Sequence, residues 1–157
     1  IHTIDLLMHL IGKPQQVTGL VSTSPLHQME CEDCAAALLH YPGGAMATVQ
    51  ATTAAYPGYP ERIEINGSLG SATLESGTLQ LQFMDGESRR VGERQTGGAG
   101  ADHMAFVHGP HRNVIEDFMH AIRSGRATLI SGRSALAVHQ VIDAIVRSSQ
   151  TGLSVAV

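Results

Sequence analysis

Residues 56–75 constrain the fold more than any other part of the sequence, because they combine helix-breaking residues with a strand pattern. The stretch 56–60, YPGYP, excludes a helix, since each proline fixes φ and removes a backbone donor. Arg62–Asn66 then alternates polar and apolar residues, as expected for a strand with one buried face. Glycines within 67–70 turn the chain back into a second strand at 72–75. The stretch therefore predicts a β-hairpin.

The remaining patterns predict two further hairpins and about three helices. The predicted helices cover Ile1–Ile11, a segment from Asn113 to Gly125, and a segment around Val138–Val146 that stops near Gly152. The predicted strands include Val17–Ser22, the pairs that flank Pro42–Gly44 and Asp85–Gly86, and a short strand at Leu153–Val157. Strands that cluster together instead of alternating with helices indicate an α+β fold.

Two local features accompany this scheme. Asn113 and Glu116 have the spacing of a capping pair, which predicts that the second helix begins at Asn113. The segment Gly92–Gly109 contains several glycines and no clear period, which predicts a mobile surface loop.

The strand after Pro42–Gly44 predicts a sheet with two unlike faces. Its small apolar face should lie against helices, whereas the other face is uncharged and should look to solvent or to another subunit; the first face holds Ala45, Ala47, Val49 and Ala51, and the second holds Met46, Thr48, Gln50 and Thr52. We expect Arg62 and Glu64 on the matching face of the neighbouring strand. Pairing two such faces about a twofold axis predicts a homodimer or, as a dimer of dimers, a homotetramer.

Length and charge bound the class of protein. The 157 residues suit one domain, 1–157, with a sizeable core. A formal charge of −4 without Lys/Arg clusters argues against a nucleic-acid surface. No apolar run approaches the ~20 residues of a membrane span, and nothing signals export, so a cytoplasmic protein is expected. The start at Ile1, without Met and inside a predicted helix, predicts a fragment whose upstream part is missing.

Cys31 and Cys34 form one CxxC pair, which could be redox-active or half of a zinc site. A structural zinc needs four ligands, and the sequence has no second CxxC. Cys34 also leads into a predicted strand, whereas redox pairs usually sit at a helix start. We interpret the cysteines as incidental thiols of a reduced protein.

Four motifs, in their order and spacing, resemble the C-terminal domain of the Gfo/Idh/MocA oxidoreductases, which are nicotinamide-dependent dehydrogenases of sugars and inositols. The motifs are HxIDLLxxLxG at His2–Gly12, DxAxxLxxxPGGA at Asp33–Ala45, YPGxPERIEIxGSxGSAxLE at Tyr56–Glu75, and IEDFMHAIRSG at Ile115–Gly125. The resemblance implies an open, mostly antiparallel sheet with helices on one face and a bare face for dimer or tetramer contacts. It also implies a sugar or polyol substrate and NAD or NADP as cofactor.

The resemblance assigns a role to His2. In the family, the histidine that begins the HxIDLL helix acts as acid/base next to the hydroxyl being oxidised. An imidazole suits this task because its unperturbed pKa is near neutrality. Asp5 lies three residues on, hence on the same helical face, and could orient the ring. The alternative is a histidine in a first helical turn, with Asp5 as a favourable N-terminal charge.

Part of the family's chemistry would precede Ile1, namely an aspartate four residues before the histidine and the lysine of an EKP-type motif. The glycine cluster Gly67–Gly70 links two predicted strands and leads into no helix, so it offers no helix N-terminus to a pyrophosphate. We expect this chain alone not to bind NAD tightly, with the cofactor held mainly by an upstream domain.

Three histidines, His103, His108 and His111, cluster near the second helix. They lack an acidic or cysteine partner at zincin spacing, so we expect no metal site. The resemblance places the segment before the IEDF helix near the pocket mouth, where His111 or Arg112 could hydrogen-bond sugar hydroxyls; the alternative is a solvated helix entry. Tyr56 could line the pocket, or could pack on the sheet edge.

Three functional hypotheses follow. The first is the substrate-binding and oligomerisation half of an NAD(P)-dependent sugar or polyol dehydrogenase, with His2 as acid/base. The second is a non-catalytic domain of the same architecture that binds a sugar or a subunit. The third is a metal-binding module that uses the CxxC pair or the histidines. An upstream dinucleotide fingerprint would separate the first two, and a metal assay would decide the third.

Overall fold

The fold is α+β, as predicted. The computed structural model describes residues 1–93 and 108–157. In chain order the elements are α1 (His2–Ile11), β1 (Gln16–Ser22), β2 (Cys34–His40), β3 (Met46–Thr52), β4 (Arg62–Gly67), β5 (Gly70–Glu75), β6 (Thr78–Phe83), β7 (Ser88–Val91), α2 (Gly109–Ser124), α3 (Gly132–Thr151) and β8 (Val155–Ala156). All strands are antiparallel and form two four-stranded sheets instead of one continuous sheet. The chain divides into two compact units, residues 1–55 with 114–157, and residues 56–113.

The first unit contains the sheet β3-β2-β1-β8 and its hydrophobic core. Val17 of β1 lies opposite Leu39 of β2 and Val155 of β8, and it is fully buried with Leu39. The core is completed mainly by α3, through Val141, Ala144 and Ile145; Ile4, Leu7 and Met8 of α1 pack against it. The predicted orientation of β3 is confirmed for Ala47 and Val49, which pack on this core and alternate with exposed residues. Ala45 and Ala51, which were predicted on the same face, are exposed.

The second unit contains the sheet β4-β5-β6-β7, in which each strand pairs with the next one along the chain. The predicted hairpin is confirmed, with Ile63 buried opposite Leu74. Gly70 begins the return strand with φ 150°, and a Cβ there would lie 2.1 Å from the carbonyl oxygen of Gln82. Only glycine therefore lets β6 approach this corner.

One predicted neighbour relationship is wrong. Strand β4, which carries Arg62 and Glu64, was expected next to β3, but β4 pairs with β5 in the second sheet and β3 pairs with β2 in the first. The prolines of segment 56–60 separate the two hairpins, and proline cannot donate to a ladder. Arg62 and Glu64 instead form an ion pair with each other.

The start of α2 also differs from the prediction. The helix begins at Gly109, so Asn113 lies inside it and is not its N-cap. Pro110 explains the earlier start, because proline fits the first turn, where its missing N–H would have no helical partner anyway. Of the predicted loop 92–109, residues 94–107 lie outside the described part of the chain. No helix in the described part is long and apolar enough to cross a membrane.

Helix α3 has clear signals at both ends. Ser131 and Ser134 form a reciprocal capping box, and Gly152 ends the helix in the left-handed conformation, as the sequence predicts. The next residues return to the sheet as β8, which pairs with only Gln16 and Val17 of β1.

Beyond β8, side chains of α3 complete the edge of β1. The hydroxyl oxygens of Ser148 and Ser149 accept hydrogen bonds from the N–H groups of Gly19 (2.9 Å) and Val21 (3.0 Å). Ser148 also donates to the carbonyl of Leu153 at 2.6 Å. The close approach requires Gly19, since a Cβ there would lie 2.8 Å from Cγ2 of Ile145. Helix α3 and strand β1 are therefore joined both by packing and by hydrogen bonds.

Ser148→Ala tests this joint. The side chain is buried, and its loss leaves the Gly19 N–H and the Leu153 carbonyl without their partner. We expect the free energy of unfolding to fall by about 2 kcal/mol in urea titrations. Ser124→Ala is the control, because that exposed hydroxyl bonds only within its own helix; it should change stability by less than about 0.5 kcal/mol. Equal effects of the two substitutions would show that the serine joint adds no stability.

Candidate functional site

The structure places His2 at the first residue of α1 with its side chain exposed. The helix is fixed from its other side, where Ile4, Leu7 and Met8 pack on the core. Asp5 is also exposed, and its N–H donates to the Ile1 carbonyl at 3.0 Å. In the described part of the chain no side-chain hydrogen bond joins Asp5 to His2, so the orienting role of Asp5 stays a prediction.

His111 and Arg112 lie in the first turn of α2 and are exposed. They were expected in a segment before the helix, and this placement is corrected by the helix start at Gly109. Tyr56 follows β3 and is 95% exposed, so it does not pack on the sheet edge. His2 and Asp5 thus belong to the first unit, whereas these three candidates belong to the second.

The thiol and histidine candidates do not form a metal centre in the described ranges 1–93 and 108–157. Cys31 and Cys34 are both free, and the Cys34 sulfur lies 3.2 Å from the Thr52 hydroxyl. Across these ranges no three His, Cys, Asp or Glu side chains group as metal ligands. His103 lies outside the described residues.

The glycine turn Gly67–Gly70 joins β4 directly to β5. It precedes a strand, so it does not supply the helix N-terminus that binds a dinucleotide pyrophosphate. The turn therefore does not fit a cofactor phosphate.

Sequence reasoning missed a buried carboxylate at the start of β2. The Asp33 side chain is fully buried and accepts hydrogen bonds at 2.6 Å from both the N–H and the hydroxyl of Ser24. One of its oxygens lies 2.9 Å from Nδ1 of His27. The available signal was a Ser and a His in the loop after β1, followed by an Asp just before β2. Such short polar side chains commonly organise loops.

The Ser24, His27 and Asp33 group is a loop clamp rather than a nucleophilic triad. In a triad the serine hydroxyl bonds to histidine, whereas here it donates to the carboxylate. The backbone of Asp33 also binds the ends of two strands, since its N–H donates to Ser22 and its carbonyl accepts from Thr53. The Ser24 hydroxyl and then the Ser24 N–H lower the pKa of Asp33 from 3.8 to about 2, with His27 adding to the effect.

This clamp should make stability depend on pH. The pKa of Asp33 is lower in the folded chain than its ordinary value, so its contribution is complete above about pH 4 and is lost as pH falls toward 2. We expect Asp33→Asn to lower stability at pH 7 and to flatten the loss between pH 4 and 2 in thermal unfolding. Glu32→Gln, at the exposed neighbouring carboxylate, should keep the wild-type slope. A wild-type slope in Asp33→Asn would contradict the assignment.

Comparison with known proteins extends over nearly the whole chain. The sequence model of a Gfo/Idh/MocA family, described as "Oxidoreductase family, C-terminal alpha/beta domain", matches residues 1–157. The chain is 27% identical over 155 residues to an inositol 2-dehydrogenase of Rhizobium meliloti (strain 1021). This alignment covers 94% of this chain and 45% of the relative. The chain thus spans about half the length of this curated relative.

Solved structures share the fold. Levoglucosan dehydrogenase in complex with NADH is 26% identical with a TM-score of 0.76, covering 99% of this chain and 48% of that one. The fold is also shared with an oxidoreductase domain protein from Kribbella flavida, at 23% identity and a TM-score of 0.78, covering 99% of this chain and 48% of that one. It is shared as well with an aldose-aldose oxidoreductase from Caulobacter crescentus complexed with glycerol, at 20% identity and a TM-score of 0.75, covering 99% of this chain and 45% of that one. Because the family's sequence model matches from the first residue to the last, the chain belongs to the Gfo/Idh/MocA oxidoreductase family as a C-terminal alpha/beta domain.

Proposed function

We propose that the chain is the substrate-binding and oligomerisation half of an NAD(P)-dependent dehydrogenase that oxidises a hydroxyl of a sugar, inositol or related polyol. The observation that carries the proposal is the exposed His2 at the start of a helix whose other face is fixed in the core. The relative named inositol 2-dehydrogenase and the fold neighbour named levoglucosan dehydrogenase support the substrate class.

In the proposed reaction, the neutral imidazole of His2 accepts the proton of the substrate hydroxyl. The freed electron pair on oxygen forms the carbonyl as the hydrogen on the same carbon leaves with its bonding electrons. Histidine serves this role because it changes protonation state near neutral pH. That hydride would pass to NAD or NADP, which would be held mainly by an upstream dinucleotide-binding domain.

The packing of α1 supports this role, because a catalytic group works best on an element that does not shift. Asp5, exposed one turn along the same helix, is our proposed orienting residue. On the second unit, His111, Arg112 and Tyr56 are our proposed contacts to substrate hydroxyls, since all are exposed and carry donors.

His2→Ala tests the catalytic assignment in the full-length protein. We expect turnover with NAD or NADP and a polyol panel to fall by ~10²-fold or more, because the proton acceptor is lost. The 157-residue chain alone should show no NAD binding by calorimetric titration. His9→Ala is a matched control, since His9 is an exposed histidine in the last turn of the same helix. Unchanged turnover in His2→Ala, or an equal loss in His9→Ala, would sink the role of His2.

The open face of the first sheet supports the oligomerisation part of the proposal. Across β1, β2 and β3 the facing rows contain no Asp, Glu, Lys or Arg; they are Gln16/His40/Met46, Thr18/Leu38/Thr48, Leu20/Ala36/Gln50 and Ser22/Cys34/Thr52. Leu20 and Met46 on this face are 67% and 68% exposed. An uncharged face with exposed apolar side chains suits self-complementary contact about a twofold axis. The same surface favours the alternative, a non-catalytic sugar-binding or subunit-interaction domain.

Thr48→Glu tests this surface. Thr48 lies in the middle of β3 and is exposed, so a dimer would bring two added carboxylates together and desolvate them. We expect light scattering to show a homodimer or homotetramer for the parent chain at micromolar concentration and a dissociated species for the variant. Gln80→Glu adds the same charge at an exposed position of the second sheet and should leave the assembly intact. A monomeric parent chain, or an undisturbed variant, would show that the interface lies elsewhere.

A further inference from the structure

Helix α2 leaves a continuous apolar stripe exposed. Its members recur at helical spacing and are each between 44% and 66% exposed; they are Val114, Ile115, Phe118, Met119 and Ile122. The helix buries one side chain, Ala121, in the described structure, whereas α3 buries five. On soluble proteins, large contiguous apolar patches typically mark sites of interaction with other polypeptides, membranes or ligands.

The stripe is held in place at its C-terminal end. The Asp117 carboxylate binds Arg126 at 2.5 Å and the N–H of Leu129 at 2.8 Å, which fixes the end of α2 to the following turn. The Arg126 guanidinium is the main cause of a lowered Asp117 pKa, so this carboxylate is charged at neutral pH. The apolar side chains therefore project from a helix whose C-terminal end is tied to the loop that follows it.

We propose that this stripe is the docking surface for the polypeptide that precedes this domain in the full-length protein. The family is described as a C-terminal domain, and the matched region is 45% of the inositol 2-dehydrogenase relative, so more than half of that relative lies outside it. A partner of that size has enough surface to cover the stripe. The first helix, where the preceding polypeptide would join, likewise exposes Leu6, Leu10 and Ile11.

A second copy of the chain is the alternative occupant of the stripe, and the exchange experiment below distinguishes it from the preceding polypeptide by its dependence on protein concentration.

The test is hydrogen–deuterium exchange of α2 in the full-length protein and in the 157-residue chain. We expect amides 115–122 to exchange at least about tenfold more slowly in the full-length protein, while amides 141–148 of α3 exchange alike in both. Equal exchange of α2 in the two proteins would overturn the proposal. Slow exchange of α2 already in the 157-residue chain would also overturn the proposal. Protection that does not depend on protein concentration would show that the chain itself covers the stripe, and protection that increases with concentration would show that a second copy covers it.

Ile122→Glu and His120→Glu provide matched variants, because both residues are exposed and lie on opposite sides of α2. In the full-length protein Ile122→Glu should raise α2 exchange to the rate of the short chain, and His120→Glu should not. In the short chain neither variant should change it. Equal effects of the two variants in the full-length protein would overturn the assignment of this face.

The docking proposal rests on the proposed function, since both require an upstream half, but the two fail differently. Protection of α2 in a full-length protein that oxidises no polyol would retain the docking surface and remove the dehydrogenase. Polyol oxidation by a full-length protein whose α2 amides exchange as fast as in the short chain would retain the dehydrogenase and remove the docking surface.

Discussion

The first unit depends on the contact between α3 and β1. A strand that pairs on only one side leaves a row of unsatisfied backbone groups, and β8 is too short to cover more than the first residues of β1. Ser148 and Ser149 supply the missing acceptors, and Gly19 lets the helix come close enough for them to reach. Side chains of a helix thus finish a sheet edge that a longer strand would otherwise cover.

The rest of β1 is fixed at both ends. Just before the strand, the Gln15 N–H donates to the His40 carbonyl and the Gln15 carbonyl accepts from the Val157 N–H; at the last residue of the strand, the Ser22 carbonyl accepts from the N–H of the buried Asp33. The apolar face of α1 packs against the same buried cluster to which α3 and β1 contribute side chains. The position of His2 therefore depends indirectly on the α3–β1 joint, although His2 lies on another element.

Sequence patterns predicted what depends on local periodicity. Each of the three hairpins and helices was found because alternation and helical spacing are properties of a short segment. The division into two sheets was not predicted, because the choice of neighbour for β4 depends on where the chain goes after the prolines of segment 56–60. The start of α2 was missed because Pro110 outweighs the capping signal of Asn113. The Asp33 clamp was missed because its partners, Ser24 and His27, lie in an irregular loop, and residue spacing does not predict the conformation of such a loop.

The two uncovered surfaces of the first unit differ in chemistry, and this difference separates their roles. The open sheet face combines threonine and glutamine with a few apolar side chains, and such a mixed composition is common at non-obligate subunit interfaces. The stripe on α2 is wholly apolar and lies on a helix that adds little to the core of its own unit. More apolar contacts are typical of permanent partners. A covalently continuous half of the same polypeptide would be such a partner, which is why we propose the upstream half for the stripe and a second subunit for the sheet face.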